Sequence, residues 1–144
     1  FKSLLTIVGD GPLYNKIKSK YSDLMNDSYK SIKIIKKVEN EKIPYLIANN
    51  HVMVLPSKFD GFGFVVSEAV SAKVFTIVSS QVGAKDLITN GKVGAIFKNN
   101  SLSELQNLLN LHYIRNFLRD KWVIRNIIYL LYIDQRSHFI LTLG

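Results

Sequence analysis

The sequence predicts an α/β fold built on a mostly parallel sheet, and three observations carry the prediction. Short apolar runs recur along the 144 residues, each the length of a buried strand. Between them lie stretches whose apolar residues fall at helical spacing. The two kinds alternate at intervals of roughly 20 residues, the rhythm of βα units.

Ser3 to Val8 is the first apolar run, and Gly9-Asp10-Gly11-Pro12 stops it. Glycine permits a sharp exit, and Pro12 suits the first turn of a helix, where its missing N–H costs nothing. Leu13, Ile17, Tyr21 and Leu24 then recur at helical spacing. Ser31 to Ile35 reads as a second strand, and Ile43 to Ala48 as a short helix with Pro44 near its start. Val52 to Leu55 is nearly all apolar, as a strand covered on both faces should be. Phe75 to Val78 and Gly94 to Phe97 are the fourth and fifth strands, with helical segments at Phe64–Ala72 and Ala84–Thr89. Phe64-Val65-Val66 has strand propensity. Wound as a helix, however, the segment sets Val65, Ala69 and Ala72 in one apolar stripe, with Val66 and Val70 beside it and Glu68 at its edge. Ser101-Leu102-Ser103-Glu104 spells a capping box that opens a helix through Leu111.

Composition bounds the function. Hydrophobic residues make up 47% and charged residues 21%, so the chain folds as one globular domain rather than staying disordered. It has no cysteine, which excludes a disulfide scaffold and Cys-based zinc sites and fits a reducing, cytoplasmic compartment. His51, His112 and His138 lack metal-ligand spacing, and no metal site is expected. The net charge of +8 favours phosphate-bearing partners. No long basic block or nucleic-acid motif accompanies it, so nucleic acid is not an expected partner. No signal peptide is readable, and Phe1 suggests a domain truncated at its N-terminus. Residues 1–111 read as the domain and 112–144 as a helical tail, too charged to span a membrane. A basic interfacial helix touching anionic lipid and a disrupted reading frame stand as alternatives for that tail.

Chemistry gathers where strands end. In open parallel sheets, ligands bind outside the carboxyl ends of the strands. Gly9-Asp10-Gly11 and Asp60-Gly61-Phe62-Gly63 both fall there. Glycines let a ligand approach the backbone, and the amides from Gly61 to Ser67 include those of a helix N-terminus, which attracts phosphate. Asp60 can accept from sugar hydroxyls, and Glu68, eight positions on, can take a pair of ribose hydroxyls. Each feature alone has a bland reading: a turn, a helix cap, a solvated glutamate. As one constellation they suit a nucleotide-sugar.

The run from Leu4 to Leu111 resembles the donor-binding C-terminal domain of retaining, family 4 type (group 1) glycosyltransferases with the GT-B architecture. The matching pieces are Ile7-Val8-Gly9-Asp10-Gly11-Pro12, Ile43 to Ala48, Val54-Leu55-Pro56-Ser57 with Asp60-Gly61-Phe62-Gly63 and Glu68-Ala69, Gly83 to Ile88, and Gly91 to Gly94, in family order. The resemblance implies a Rossmann-like sheet forming one half of that architecture. It implies that Asp60 contacts the donor sugar and Glu68 the ribose. The amides of Phe62, Gly63 and Phe64 would hold sugar and pyrophosphate. Gly9 and Gly11 would line the same mouth, and the base would lie near Ile35, Lys36 and Val38. The partners implied are a nucleotide-sugar donor and a saccharide or lipid-linked acceptor, reached through an absent N-terminal domain, with peripheral membrane contact; no cofactor is implied.

Three departures qualify the resemblance. Asp60 stands where the family usually has glutamate. Lys73-Val74-Phe75 replaces the usual Gly-Lys-Pro. The family's phosphate-neutralising Arg and Lys lie upstream of the first strand seen here. Two other readings therefore stay open: a degenerate, non-catalytic nucleotide-sugar-binding module, and a nucleotide-sugar epimerase of the same architecture.

Overall fold

The computed structural model of the chain describes residues 3–25, 30–88, 92–98, 101–110 and 126–130. In chain order it contains β1 (Ser3–Val8), α1 (Tyr14–Lys20), β2 (Lys30–Ile35), α2 (Ile43–Ala48), β3 (Val52–Leu55) and α3 (Phe64–Ser71). These are followed by β4 (Phe75–Ser79), β5 (Gly94–Phe97), α4 (Leu102–Leu109) and β6 (Asn126–Leu130). A 3₁₀ helix, Gly83–Ile88, stands where the sequence suggested an α-helix over Ala84–Thr89. Another, Asp23–Met25, takes up the end of the helical pattern that began at Leu13.

The strands form a single sheet of order β2-β1-β6-β3-β4-β5, and every pairing is parallel. Val52 to Leu55 and Phe75 to Ser79 are buried throughout, as apolar strands with layers on both faces must be. Two core clusters pack on the opposite faces. One joins Val8, Met53, Leu55 and Val78 to Ile47 of α2 and to Val66 and Ala69 of α3. The other joins Ile7, Val52, Val54, Ile77 and Phe97 to Leu105 of α4.

Two expectations need correction. The apolar stripe of α3 centres on Val66 and Ala69, both fully buried; Val65 and Val70 flank it, and Ala72 is exposed. The helix starts at Phe64 as expected, and its buried face is rotated toward Val66 and Ala69. The expected helical tail meets a strand at 126–130, paired with β1 on one side and β3 on the other. The run Asn126-Ile127-Ile128-Tyr129-Leu130 is β-branched and aromatic, and pairing on both edges overrides any helical reading. The rest of the stretch from 112 to 144 lies outside the described residues, as does Leu111, the expected end of α4.

Candidate functional site

Because all strands run parallel, the ends of β1, β2 and β3 lie on one edge of the sheet. β3 and β4 each hand the chain to a loop there, and the two loops are stitched together by backbone. The Asp60 N–H donates to the Gln81 carbonyl at 3.3 Å, and the Asp60 carbonyl accepts from the Gly83 N–H at 3.0 Å. The Phe62 carbonyl accepts from the Ala84 N–H at 2.6 Å. Beneath them the buried Ser79 hydroxyl donates to the Ser57 carbonyl at 2.7 Å and accepts from the Gln81 N–H at 3.1 Å. Gly83 lies flush on this loop: a Cβ there would run into the Gly61 carbonyl oxygen. The loop is thus held from below and beside.

Gly63 is glycine for two reasons. Its φ of +79° is left-handed, and a Cβ would come within 2.7 Å of Val82 Cγ1. That conformation turns the chain directly into α3. The N–H groups of Gly61, Gly63, Phe64 and Val65 enter no hydrogen bond among the described residues. The amide of Phe62 is taken, donating to Asp60 Oδ1 at 3.2 Å. Of the three amides assigned from sequence, Gly63 and Phe64 are open and Phe62 is engaged by the carboxylate beside it. The Phe62 and Phe64 rings stand 4.7 Å apart, tilted and exposed.

Glu68 lies one turn into α3 and lines a groove of about 510 Å³ between α2 and α3. The groove is walled by Pro44, Tyr45 and Ala48 on one side and by Ser67, Glu68, Ser71 and Ala72 on the other. Glu68 Oε2 is shut off from solvent and has no hydrogen-bond partner among the described residues. A buried carboxylate oxygen without a donor is costly, which makes Glu68 a candidate for contact with a ligand. Asp60 does not line this groove. The two carboxylates belong to consecutive parts of one loop–helix unit, with Asp60 in the pinned loop and Glu68 in the wall beyond it.

The ends of β1 and β2 form a second cluster. The Gly9 N–H donates to the Ile35 carbonyl at 3.0 Å, and the Gly11 carbonyl accepts from the Tyr14 N–H at 2.9 Å. Lys36 Nζ lies 3.7 Å from Asp10 Oδ1 and 5.9 Å from the centre of the Tyr14 ring. Gly9, Gly11, Ile35 and Lys36 are therefore brought together. Ile35 and Val38 turn inward and pack, with Ile43 and Leu46, against the core under α2. Only β6 separates this cluster from the Asp60 loop, a gap of two strand spacings, roughly 10 Å. Sequence reading gave no role to Gly83, Ala84 or Tyr45. A glycine and a small residue just after a buried strand were the visible signal for the first two.

Residues 2–126 match the family described as glycosyl transferases group 1. The chain belongs to that family. This group 1 glycosyl transferase chain is 33% identical over 107 residues to an Escherichia coli protein named UDP-Gal:alpha-D-GlcNAc-diphosphoundecaprenol alpha-1,3-galactosyltransferase. The alignment covers 74% of the chain and 27% of the relative, so the chain spans only about a quarter of that protein. The parallel α/β sheet with helices on both faces is the expected architecture. The family departure at Lys73 has a structural consequence in this group 1 chain. Lys73 follows the last residues of α3 with φ +58°, the left-handed conformation that glycine adopts without strain. The Lys73 N–H donates to the Val70 carbonyl at 3.0 Å and the Val74 N–H to the Ala69 carbonyl at 2.9 Å, a complete Schellman ending. The turn survives the loss of glycine. Among the described residues, no helix is long and apolar enough to cross a membrane.

Proposed function

We propose that this chain is the donor-binding part of a retaining glycosyltransferase that moves a sugar from a UDP- or GDP-sugar to a saccharide or lipid-linked acceptor. The observation that carries the reading is the loop–helix unit from Asp60 to Glu68. It combines open amides at a helix start, a carboxylate in the turn and a buried carboxylate oxygen awaiting a donor. In this reading the amides of Gly63, Phe64 and Val65 receive the diphosphate, Asp60 accepts from donor-sugar hydroxyls, and Glu68 takes the two ribose hydroxyls. Gly9, Gly11 and Lys36, gathered at the ends of β1 and β2, would face the donor from the other side, while Ile35 and Val38 support them from the core. Departure of the diphosphate leaves an oxocarbenium-like sugar, and fixed amides stabilise the charge that develops on the leaving oxygens. The shorter Asp60 carboxylate reaches one methylene less far than glutamate, which bears on the choice of sugar. The name of the Escherichia coli relative makes UDP-galactose the first donor to try, with a lipid-diphosphate-linked amino sugar as acceptor.

The test is calorimetric titration of the chain with UDP- and GDP-sugars, alongside Asp60→Ala and Glu68→Ala. Losing a carboxylate that takes two hydroxyls should cost roughly 1.5–3 kcal/mol of donor binding. Unchanged affinity in Glu68→Ala would refute the assigned role. Transfer itself needs donor and acceptor held together, and proximity supplies ~7–11 kcal/mol of such barriers. The 144-residue chain alone is therefore expected to give no transfer above the Glu68→Ala control with radiolabelled donors and a panel of acceptors.

A further inference from the structure

We infer that a small pocket at the amino edge of the sheet is a second binding site, for a phosphate ester carried on a small apolar body. Val70 and Lys73 at the end of α3, Val74 and Phe75 leading into β4, and Lys92 and Val93 ahead of β5 enclose about 260 Å³. Among the described residues, its lining holds two lysines and no carboxylate. Lys73 Nζ has no hydrogen-bond or ion-pair partner among those residues. Two ammonium groups over valines and a phenylalanine ask for a compact anion with a hydrocarbon portion. Lysine meets a phosphate as a point charge, so a phosphate ester answers both demands.

Backbone strain is the independent observation. Among the described residues, Lys73 is the one residue other than glycine with a left-handed backbone, at φ +58°. Glycine takes that conformation at no steric cost, and the Schellman bonds that close α3 are made by backbone alone. The turn itself gains nothing from a lysine; what lysine adds is an ammonium group at the pocket wall. Strain retained where a side chain lines a pocket points to function. The Schellman bonds also occupy the Val70 and Ala69 carbonyls, so the negative end of α3 is partly satisfied before an anion arrives. The pocket shares no residue with the α2–α3 groove. The eight residues of α3 set it about 12 Å from the Gly63 and Phe64 amides. Its ligand therefore binds alongside a donor rather than in place of one.

The experiment titrates inorganic phosphate and butyl phosphate into the full chain and into Lys73→Gly, Lys73→Arg and Lys92→Gln, followed by backbone amide shifts and calorimetry. Saturable shifts are expected at Lys73, Val74 and Val93, with butyl phosphate binding tighter than inorganic phosphate because of the apolar floor. Lys73→Gly and Lys92→Gln should each weaken butyl phosphate about fivefold, and Lys73→Arg should keep its affinity. Excess UDP should leave that affinity unchanged. Vesicles of phosphatidylcholine with and without phosphatidic acid identify the source of the phosphate. Sedimentation of the chain with phosphatidic acid, lost in Lys73→Gly, assigns a lipid headgroup; butyl phosphate binding without sedimentation assigns a soluble ester. Shifts confined to the Gly63, Phe64 and Val65 amides, displacement by UDP, or an affinity that neither lysine variant changes would overturn the second site. So would a Lys73→Gly variant that loses stability yet keeps its affinity, since the lysine would then be a charge at the helix end and no more.

Discussion

At the scale of single residues, Lys73 is the plainest departure with a measurable consequence. Its left-handed backbone costs an L-residue roughly 1–2 kcal/mol, while glycine there is unstrained but loses more entropy on folding. Lys73→Gly should therefore raise stability by about 0.5–1 kcal/mol, read from urea denaturation with an unchanged m-value. A destabilised variant would mean that the lysine side chain contributes something the backbone geometry does not reveal. Sequence reading could mark position 73 as a doubtful turn but could not see that the Schellman bonds persist around it. The carboxylates at 60 and 68 were legible because their spacing and glycines are local signals. The groove wall at Tyr45 was not, because it arises only when α2 packs beside α3.

At the scale of elements, the site depends on two loops acting as one. Gly61 and Gly83 make a controlled pair for testing this. A methyl at Gly61 meets nothing within 4 Å, whereas one at Gly83 collides with the Gly61 carbonyl and lies 3.1 Å from Phe62 Cα. Gly83→Ala should force the pinned loop outward at a cost of about 1–3 kcal/mol and weaken nucleotide-sugar binding. Gly61→Ala should leave folding stability near the parent value. Thermal melts with parallel calorimetry check both, and equal behaviour of the two variants would contradict the pinned-loop geometry. The capping box at Ser101 shows how far a local motif reaches. Ser101 Oγ accepts from the Glu104 N–H at 3.3 Å as the pattern implies. The Glu104 carboxylate, though, accepts from the Lys98 N–H at 2.6 Å rather than from the cap residue. The helix start was written in the sequence; the partner of its glutamate was set by how β5 approaches α4.

At the scale of the whole molecule, five strands and the mostly parallel character of their sheet were legible from apolar runs alternating with helical spacing, but not the strand order. The sixth was not, because pairing between residues so distant in sequence leaves no periodic trace. β6 joins two half-sheets, β2-β1 and β3-β4-β5, that have no pairing with each other. Ile128 stands opposite both Thr6 and Met53, so a proline there removes a ladder donor from the middle of the sheet. Ile128→Pro should lower stability by at least about 1–3 kcal/mol and the Tm by several degrees. An unchanged melt would show that the half-sheets hold without β6. The central claim is that one nucleotide-sugar lies across the carboxyl edge of this sheet, between the Asp60 loop and Glu68. A crystal structure of the chain soaked with UDP-galactose or a GDP-sugar tests it most directly. The account predicts diphosphate density at the Gly63, Phe64 and Val65 amides and ribose hydroxyls on Glu68 Oε2. Ligand bound elsewhere, with Glu68 Oε2 still lacking a donor, would contradict it.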